Sequence, residues 1–180
     1  MKRTALLLVD FINDLTFDGA DLVLPRAMRA ARRTAALRAR RSLARVPVIY
    51  ANDNFGRWRS DFKEVVARCC SPGCPGAPLA RLLSPRKHDH FVLKPKNSGF
   101  FQTPLELLLR QLKVHRLIIA GVAADNCVLF TANDAYLHGY ELWIPADCIA
   151  AESATIERQA IGYFRRVLKA DVRPTTGGNR

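Results

Sequence analysis

Three residues of this sequence could together make a covalent catalyst. Asp10 follows the apolar run Leu6-Leu7-Leu8-Val9, Lys94 follows Phe91-Val92-Leu93, and Cys127 follows Leu117–Ala120 through the turn Gly-Val-Ala-Ala-Asp-Asn. A free thiol titrates near pH 8.5 and is mostly protonated at neutrality, so a cysteine nucleophile must be activated by about that margin. A lysine favours the thiolate by its charge, a helix start adds partial positive potential, and a carboxylate can take the proton. Taken singly, each residue has an ordinary alternative. An aspartate after a strand is a turn former or helix cap, a lysine before Pro95 is a surface residue, and a cysteine near a helix start is a small buried hydrophobe. The pKa of Asp10 has opposing influences, burial raising it and the lysine lowering it, so its sign stays open at the level of sequence.

The elements that would position these residues follow from the apolar pattern. Short β-type runs at Ala5–Val9, Val46–Ala51, Phe91–Leu93, Leu117–Ala120 and Glu141–Ile144, with a further strand near Asp171–Arg173, alternate with helical patterns. The helical patterns are an arginine-rich segment, Thr103–Leu112 with Leu105, Leu108, Leu109 and Leu112 on one face, Asn126–Leu137, and Ser153–Leu168 with Ile156, Ala160, Phe164 and Val167 aligned. Strands that read as continuous apolar runs are covered on both faces. The expected fold class is therefore α/β: a three-layer α/β/α domain with a doubly wound, mainly parallel sheet of about six strands. Ligands of such sheets bind outside the carboxyl ends of the strands, where Asp10, Lys94 and Cys127 fall. The interval Phe55–Pro85, rich in Pro, Gly and Cys at Cys69–Ala77, breaks the rhythm and reads as a functional loop region.

With 180 residues and 49% hydrophobic content, the chain fits one domain over residues 1–173, followed by a flexible tail at 174–180. No stretch reaches the roughly 20 apolar residues of a membrane helix, and Asp10 interrupts what would be a signal peptide's apolar region, so a soluble cytoplasmic protein is expected. In a reducing compartment Cys69, Cys70, Cys74, Cys127 and Cys148 are expected to form no disulfide framework. The formal charge is +12, with eight arginines between Pro25 and Arg45. On a helix, Arg26, Arg29, Arg33 and Arg40 share one face, and Met28, Ala31, Ala35, Ala39 and Ser42 another. That reads as a solvated basic face opposite a packing face. Without interleaved aromatics or a nucleic-acid motif it argues against nucleic acid as a partner.

The string GVAADNCVLFTANDAYLHGYELWIPADC at 121–148 resembles the nucleophile segment of isochorismatase-like hydrolases. ALLLVDFINDL at 5–15 resembles that family's first strand and aspartate, and FVLKPKNSGFFQTPLELLL at 91–109 its lysine strand and following helix. The superfamily includes nicotinamidases, N-carbamoylsarcosine amidohydrolases and isochorismatases. The resemblance implies a catalytic triad of Asp10, Lys94 and Cys127, a cis peptide at Val122–Ala123, and an oxyanion hole from the backbone N–H groups of Ala123 and Cys127. It implies attack by Cys127 on a carbonyl, protonation of the leaving amine by Asp10, a thioester, and water activated by Asp10. A homo-oligomer, dimer or tetramer, is also implied.

The chain departs from nicotinamidases, which carry an Asp-x-His pair and a further histidine as metal ligands. Here the second strand is followed by Asn52-Asp53-Asn54-Phe55, and Phe11 stands where many relatives carry glutamine. His88 and His90 with Asp89 flank a strand, and Cys69, Cys70 and Cys74 lack a second ligand pair, so no metal and no cofactor are expected. Asn52, Phe55, Trp58, Phe100 and Phe130 are candidate walls of a small-molecule pocket, with core packing as the alternative. Arg57 and Arg59 beside Trp58 could draw a carboxylate. The expected activity is metal-independent cleavage of a C–N bond in a small amide, ureido or carbamoyl compound. Vinyl-ether hydrolysis and a non-catalytic basic binding protein on the same fold are the alternatives.

Overall fold

A computed structural model of the chain describes residues 3–58 and 61–175. Six strands, β1 (Thr4–Val9), β2 (Val48–Asp53), β3 (His90–Lys94), β4 (Arg116–Val122), β5 (Glu141–Trp143) and β6 (Ile149–Ala150), make one sheet. Its order is β3-β2-β1-β4-β5, with β6 paired to the last two residues of β4. All pairings are parallel. The expected last strand reduces to a single bridge between Trp143 and Asp171.

Successive side chains of a strand enter opposite layers, and here both layers are apolar. Ala5, Leu7 and Val9 pack with Ile119 beneath α4 (Leu105–Gln111), α5 (Cys127–Leu137) and α6 (Ala154–Arg166). Leu6, Leu8 and Ile118 pack on the other side beneath α1 (Ala20–Arg38), α2 (Phe62–Cys69) and α3 (Ala77–Leu82). Full burial of each such aliphatic side chain contributes about 1.5–3 kcal/mol. Two helices start on side-chain caps: Asp61 accepts from the Glu64 N–H at 2.9 Å, and Ser153 from the Ile156 N–H at 3.2 Å.

Two expectations are corrected here. The interval from Phe55 to Pro85 is not an irregular loop, because it folds into α2 and α3. The second of these is pressed onto the segment after β1: a Cβ on Gly76 would meet the Asn13 carbonyl oxygen at 1.8 Å. The packing face of α1 is also turned by about one residue from the expected one. Ala27, Ala30, Ala31, Thr34, Leu37 and Arg38 are buried, and Ala39 and Ser42 are exposed.

Arg38 belongs to this buried face and acts as an interior residue. Its guanidinium donates to the Tyr50 hydroxyl at 3.0 Å and the Ser84 carbonyl at 3.3 Å, and pairs with Asp89. Other arginines of this stretch are also engaged: Arg26 and Arg29 pair with Glu157 at 3.2 and 3.1 Å, and Arg40, just past the helix, donates to the Thr175 carbonyl at 2.6 Å. The chain end expected to fray from Pro174 is held at Thr175, whose N–H and hydroxyl donate to Asp147 at 2.8 and 2.6 Å. Residues 176–180 lie outside the described residues. Among the described residues, no helix is long and apolar enough to cross a membrane.

Candidate active site

The carboxyl ends of β1, β2, β3 and β4 lie side by side, and the register sets what meets there. Val9 is level with Ala51 of β2 and Gly121 of β4, while Asp53 is level with Lys94 of β3. Asp10, one residue past β1, has φ of 49° and donates its N–H to the Ala51 carbonyl at 3.1 Å. Its Oδ2 is 2.9 Å from Lys94 Nζ, and its Oδ1 accepts from the Asp53 N–H at 2.7 Å. Lys94 is wholly enclosed. Its Nζ also reaches the Lys96 carbonyl at 3.2 Å, Cys127 Sγ at 3.4 Å and Asp53 Oδ2 at 3.6 Å.

The nucleophile candidate arrives on a turn that only glycine can begin. Gly121 has φ of 152°, and a Cβ there would stand 2.2 Å from the Val9 carbonyl oxygen. The following Val122–Ala123 peptide is cis. Cys127 is then the first residue of α5. Within the turn, the Ala124 N–H is bound to the Ala150 carbonyl at 2.7 Å, and the Asn126 and Val128 N–H groups to the Ala123 carbonyl at 3.0 and 3.1 Å. Among the described residues, the N–H groups of Ala123 and Cys127 have no such backbone acceptor.

The electrostatics differ from the sequence expectation in one respect. The Cys127 thiol is pushed up to about 12, first by burial and then by the Asp10 charge, against the opposing pull of Lys94. Lys94 and the helix start therefore do not leave a resting thiolate. Burial also raises the Asp10 carboxyl above its usual range, although Lys94, Cys127 and the Asp53 N–H hold it back. Lys94 is raised on balance: burial alone would lower it, but Asp10, Cys127 and Asp53 together outweigh that. The resting arrangement is thiol and ammonium beside a carboxylate that is unusually ready to accept a proton.

A cleft of about 400 Å³ opens over these groups, with Asp10, Asp53, Ala123 and Cys127 at its floor and Phe17 and Phe55 among its walls. Of the expected wall residues, Phe55 alone lines it. Asn52 is buried, its amide holding the Ile12 backbone by donating to the carbonyl at 2.6 Å and accepting from the N–H at 3.3 Å. Phe100 packs in the core with its ring 5.1 Å from that of His138. Trp58 is 79% exposed and Phe130 50% exposed, and neither reaches the cleft. Arg57 lines a separate groove with Asp14 and Arg68, and Arg59 lies outside the described residues.

Sequence reasoning passed over Asp53, Asp125 and Glu152, which also line the cleft. The rule that singled out Asp10, a polar residue at or just past a strand end, would have found Asp53 and Asp125, whereas Glu152 follows the two-residue strand β6, which shows no apolar run.

The donor set does not fit a catalytic metal. Among the described residues, no three His, Cys, Asp or Glu side chains form a group that could hold an ion. Asp89 is paired with Arg38 and accepts the Arg86 N–H at 2.6 Å, so it is not available to His88 and His90. All five cysteines are free, and burial pushes the Cys69 thiol up to about 12, which opposes thiolate ligation.

The model of the isochorismatase domain matches residues 4–175 of the chain. An uncharacterized isochorismatase family protein of Bacillus subtilis, YaaI, is 36% identical over 168 residues, covering 93% of this chain and 92% of that protein. Maleamate amidohydrolase of Pseudomonas putida is 27% identical over 156 residues, covering 82% of this chain and 72% of the enzyme. The crystal structure of N-carbamoylsarcosine amidase from Thermoplasma acidophilum superposes with a TM-score of 0.74 at 26% identity, covering 99% of each chain.

Proposed function

The chain belongs to the isochorismatase domain family, and from that premise we propose that it is a metal-independent cysteine hydrolase cleaving the C–N bond of a small amide, ureido or carbamoyl compound. The observation that carries the reading is the convergence of Asp10 and Cys127 at the floor of one cleft with Lys94 beneath them, its Nζ 2.9 Å from the carboxylate and 3.4 Å from the sulfur. The names of two relatives, an amidohydrolase and an amidase, support C–N cleavage as the reaction class.

In this mechanism Cys127 attacks as it loses its proton, because a thiol held at about 12 supplies little free thiolate. Asp10 takes that proton while the new C–S bond forms. The carbonyl oxygen gathers negative charge and is held by the N–H groups of Ala123 and Cys127, each such donor typically contributing about 3–4 kcal/mol. Asp10 then gives the proton to the departing nitrogen, the C–N bond breaks, and a thioester remains. Water enters, loses a proton to Asp10 and attacks the thioester. The C–S bond breaks, and the sulfur recovers its proton as the acid leaves. Lys94 stays charged and steadies the carboxylate and the sulfur as charge moves between them.

A screen for ammonia release across small amides and carbamoyl compounds tests the reading, with Cys127→Ala as control. Turnover lost in Cys127→Ala, together with a thioester mass on the parent protein, is expected. Pyruvate release from a vinyl ether by Cys127→Ala at the parent rate would overturn it.

A further inference from the structure

The charge around the cleft runs against the charge of the chain. Basic residues outnumber acidic ones by 28 to 16, yet four carboxylates line this one cleft: Asp10, Asp53, Asp125 and Glu152. They arrive at or just past the ends of four different strands, β1, β2, β4 and β6. Lys94 lies beneath the floor and is engaged by Asp10 and Asp53, and Arg68, whose guanidinium stands 4.4 Å from the centre of the Phe55 ring, is paired with Asp14 at 3.1 Å. Among the described residues, no arginine lines the cleft.

Ion pairing elsewhere makes the contrast sharper. Asp14, Asp89, Glu106, Glu157 and Asp171 are each paired with an arginine. Asp125 and Glu152 are exposed and, among the described residues, paired with no cation. Asp125 and Glu152, both on the cavity above a nucleophile and neither neutralised by a cation among the described residues, place a negative potential where a substrate must enter.

We propose that the cleft selects amides carrying a protonated amine or guanidinium group, a selectivity that rests on the hydrolase reading above. The carbonyl seats over Cys127, the apolar body lies along Phe17 and Phe55, and the cation faces Asp125 and Glu152. A substrate with a carboxylate in that position meets three acidic side chains, Asp53 included, and, among the described residues, no arginine on the lining.

Two measurements test this on the intact protein. The first is ammonia release from γ-aminobutyramide, γ-hydroxybutyramide and succinamate, which differ at the far end in charge. The expected order of kcat/KM is ammonium, hydroxyl, carboxylate, with about tenfold or more between first and last at low salt, shrinking as salt is added. Glu152→Gln narrows the ammonium-to-carboxylate ratio. Equal or faster turnover of succinamate, or a ratio unmoved in both Glu152→Gln and Asp125→Asn, overturns the proposal. The second measurement needs no turnover: labelling of Cys127 by aminoethyl and sulfonatoethyl methanethiosulfonate, each scaled to its rate with a free thiol and located by peptide mass. The cationic reagent is expected to be faster, and parity or reversal overturns the proposal. Charge-selective labelling without ammonia release from any amide sinks the hydrolase reading and leaves a cation-selective cleft.

Discussion

Oδ1 of Asp10 accepts the backbone N–H of Asp53 at 2.7 Å. Lys94 Nζ lies 2.9 Å from the other oxygen, so both ends of the carboxylate are held, from two neighbouring strands. A base fixed in this way needs no reorientation to receive a proton from Cys127.

Asp10→Asn therefore separates charge from shape. The amide oxygen can still accept the Asp53 N–H, but the base is gone and buried Lys94 keeps Asp53, at 3.6 Å, as its remaining carboxylate partner. Hydrolysis should fall by at least about a hundredfold. Stability should fall by about 3 kcal/mol, the lower end for breaking a buried pair, because Asp53 remains. Urea unfolding and a turnover assay measure the two effects, and activity within a few-fold of the parent would remove Asp10 from the mechanism.

The same variant should make the thiol more reactive while the enzyme dies. Burial and then the Asp10 charge hold Cys127 at about 12, and Lys94 alone pulls the other way. Without the carboxylate the thiol pKa falls, so the rate of Cys127 alkylation by iodoacetamide near neutral pH should rise, by about tenfold for each unit of fall. Slower alkylation in Asp10→Asn would contradict this account of the thiol.

Stability should decline in alkali. Burial first, opposed by a hydrogen bond with Thr34 and reinforced by Asp147, holds the Cys148 thiol at about 12 against an ordinary 9.0, and burial holds Cys69 at about 12 as well. Above pH 9 the unfolded chain releases protons that the folded chain keeps, so the stabilisation is complete below pH 9 and is lost progressively toward about pH 12. Each thiol contributes a slope of up to about 1.4 kcal/mol per pH unit. Urea midpoints on either side of pH 9 measure the slope, and Cys148→Ala should make it shallower.

Gly121→Ala should be among the most damaging single changes. The new methyl would sit 2.2 Å from the Val9 carbonyl oxygen at a backbone φ of 152°. Strain and displacement of β4 from β1 should cost about 3 kcal/mol or more. Thermal unfolding of the purified variant checks this, and an unchanged midpoint would mean that the turn can relax.

Most of the sheet was legible because five apolar runs mark five strands, and the triad residues follow three of them. β6 was missed because Ile149–Ala150 is too short to show a period. α2 and α3 were hidden by the Pro, Gly and Cys around them, and both are held by tertiary contacts that local propensity does not report. The face of α1 was misplaced by about one residue, and Arg38, which the sequence reading placed on neither face, finds its partners on β2 and in the loops before β3.

The cleft walls were the least legible part. On β2, Asn52 turns toward the Ile12 backbone and its neighbour Asp53 toward the cleft, and with both faces of the strand buried no alternation of polarity shows which is which.

β3 lies at the border of the sheet, with β2 as its single neighbour in the strand order, and its final residue is Lys94. A strand paired on one side only thus carries the group that holds the charge balance in the proposed reaction. Partial peeling at this border would silence the enzyme while the central strands stay folded. Its chemistry should accordingly be more fragile than its architecture, with turnover fading at denaturant concentrations that leave the bulk of the helix signal intact.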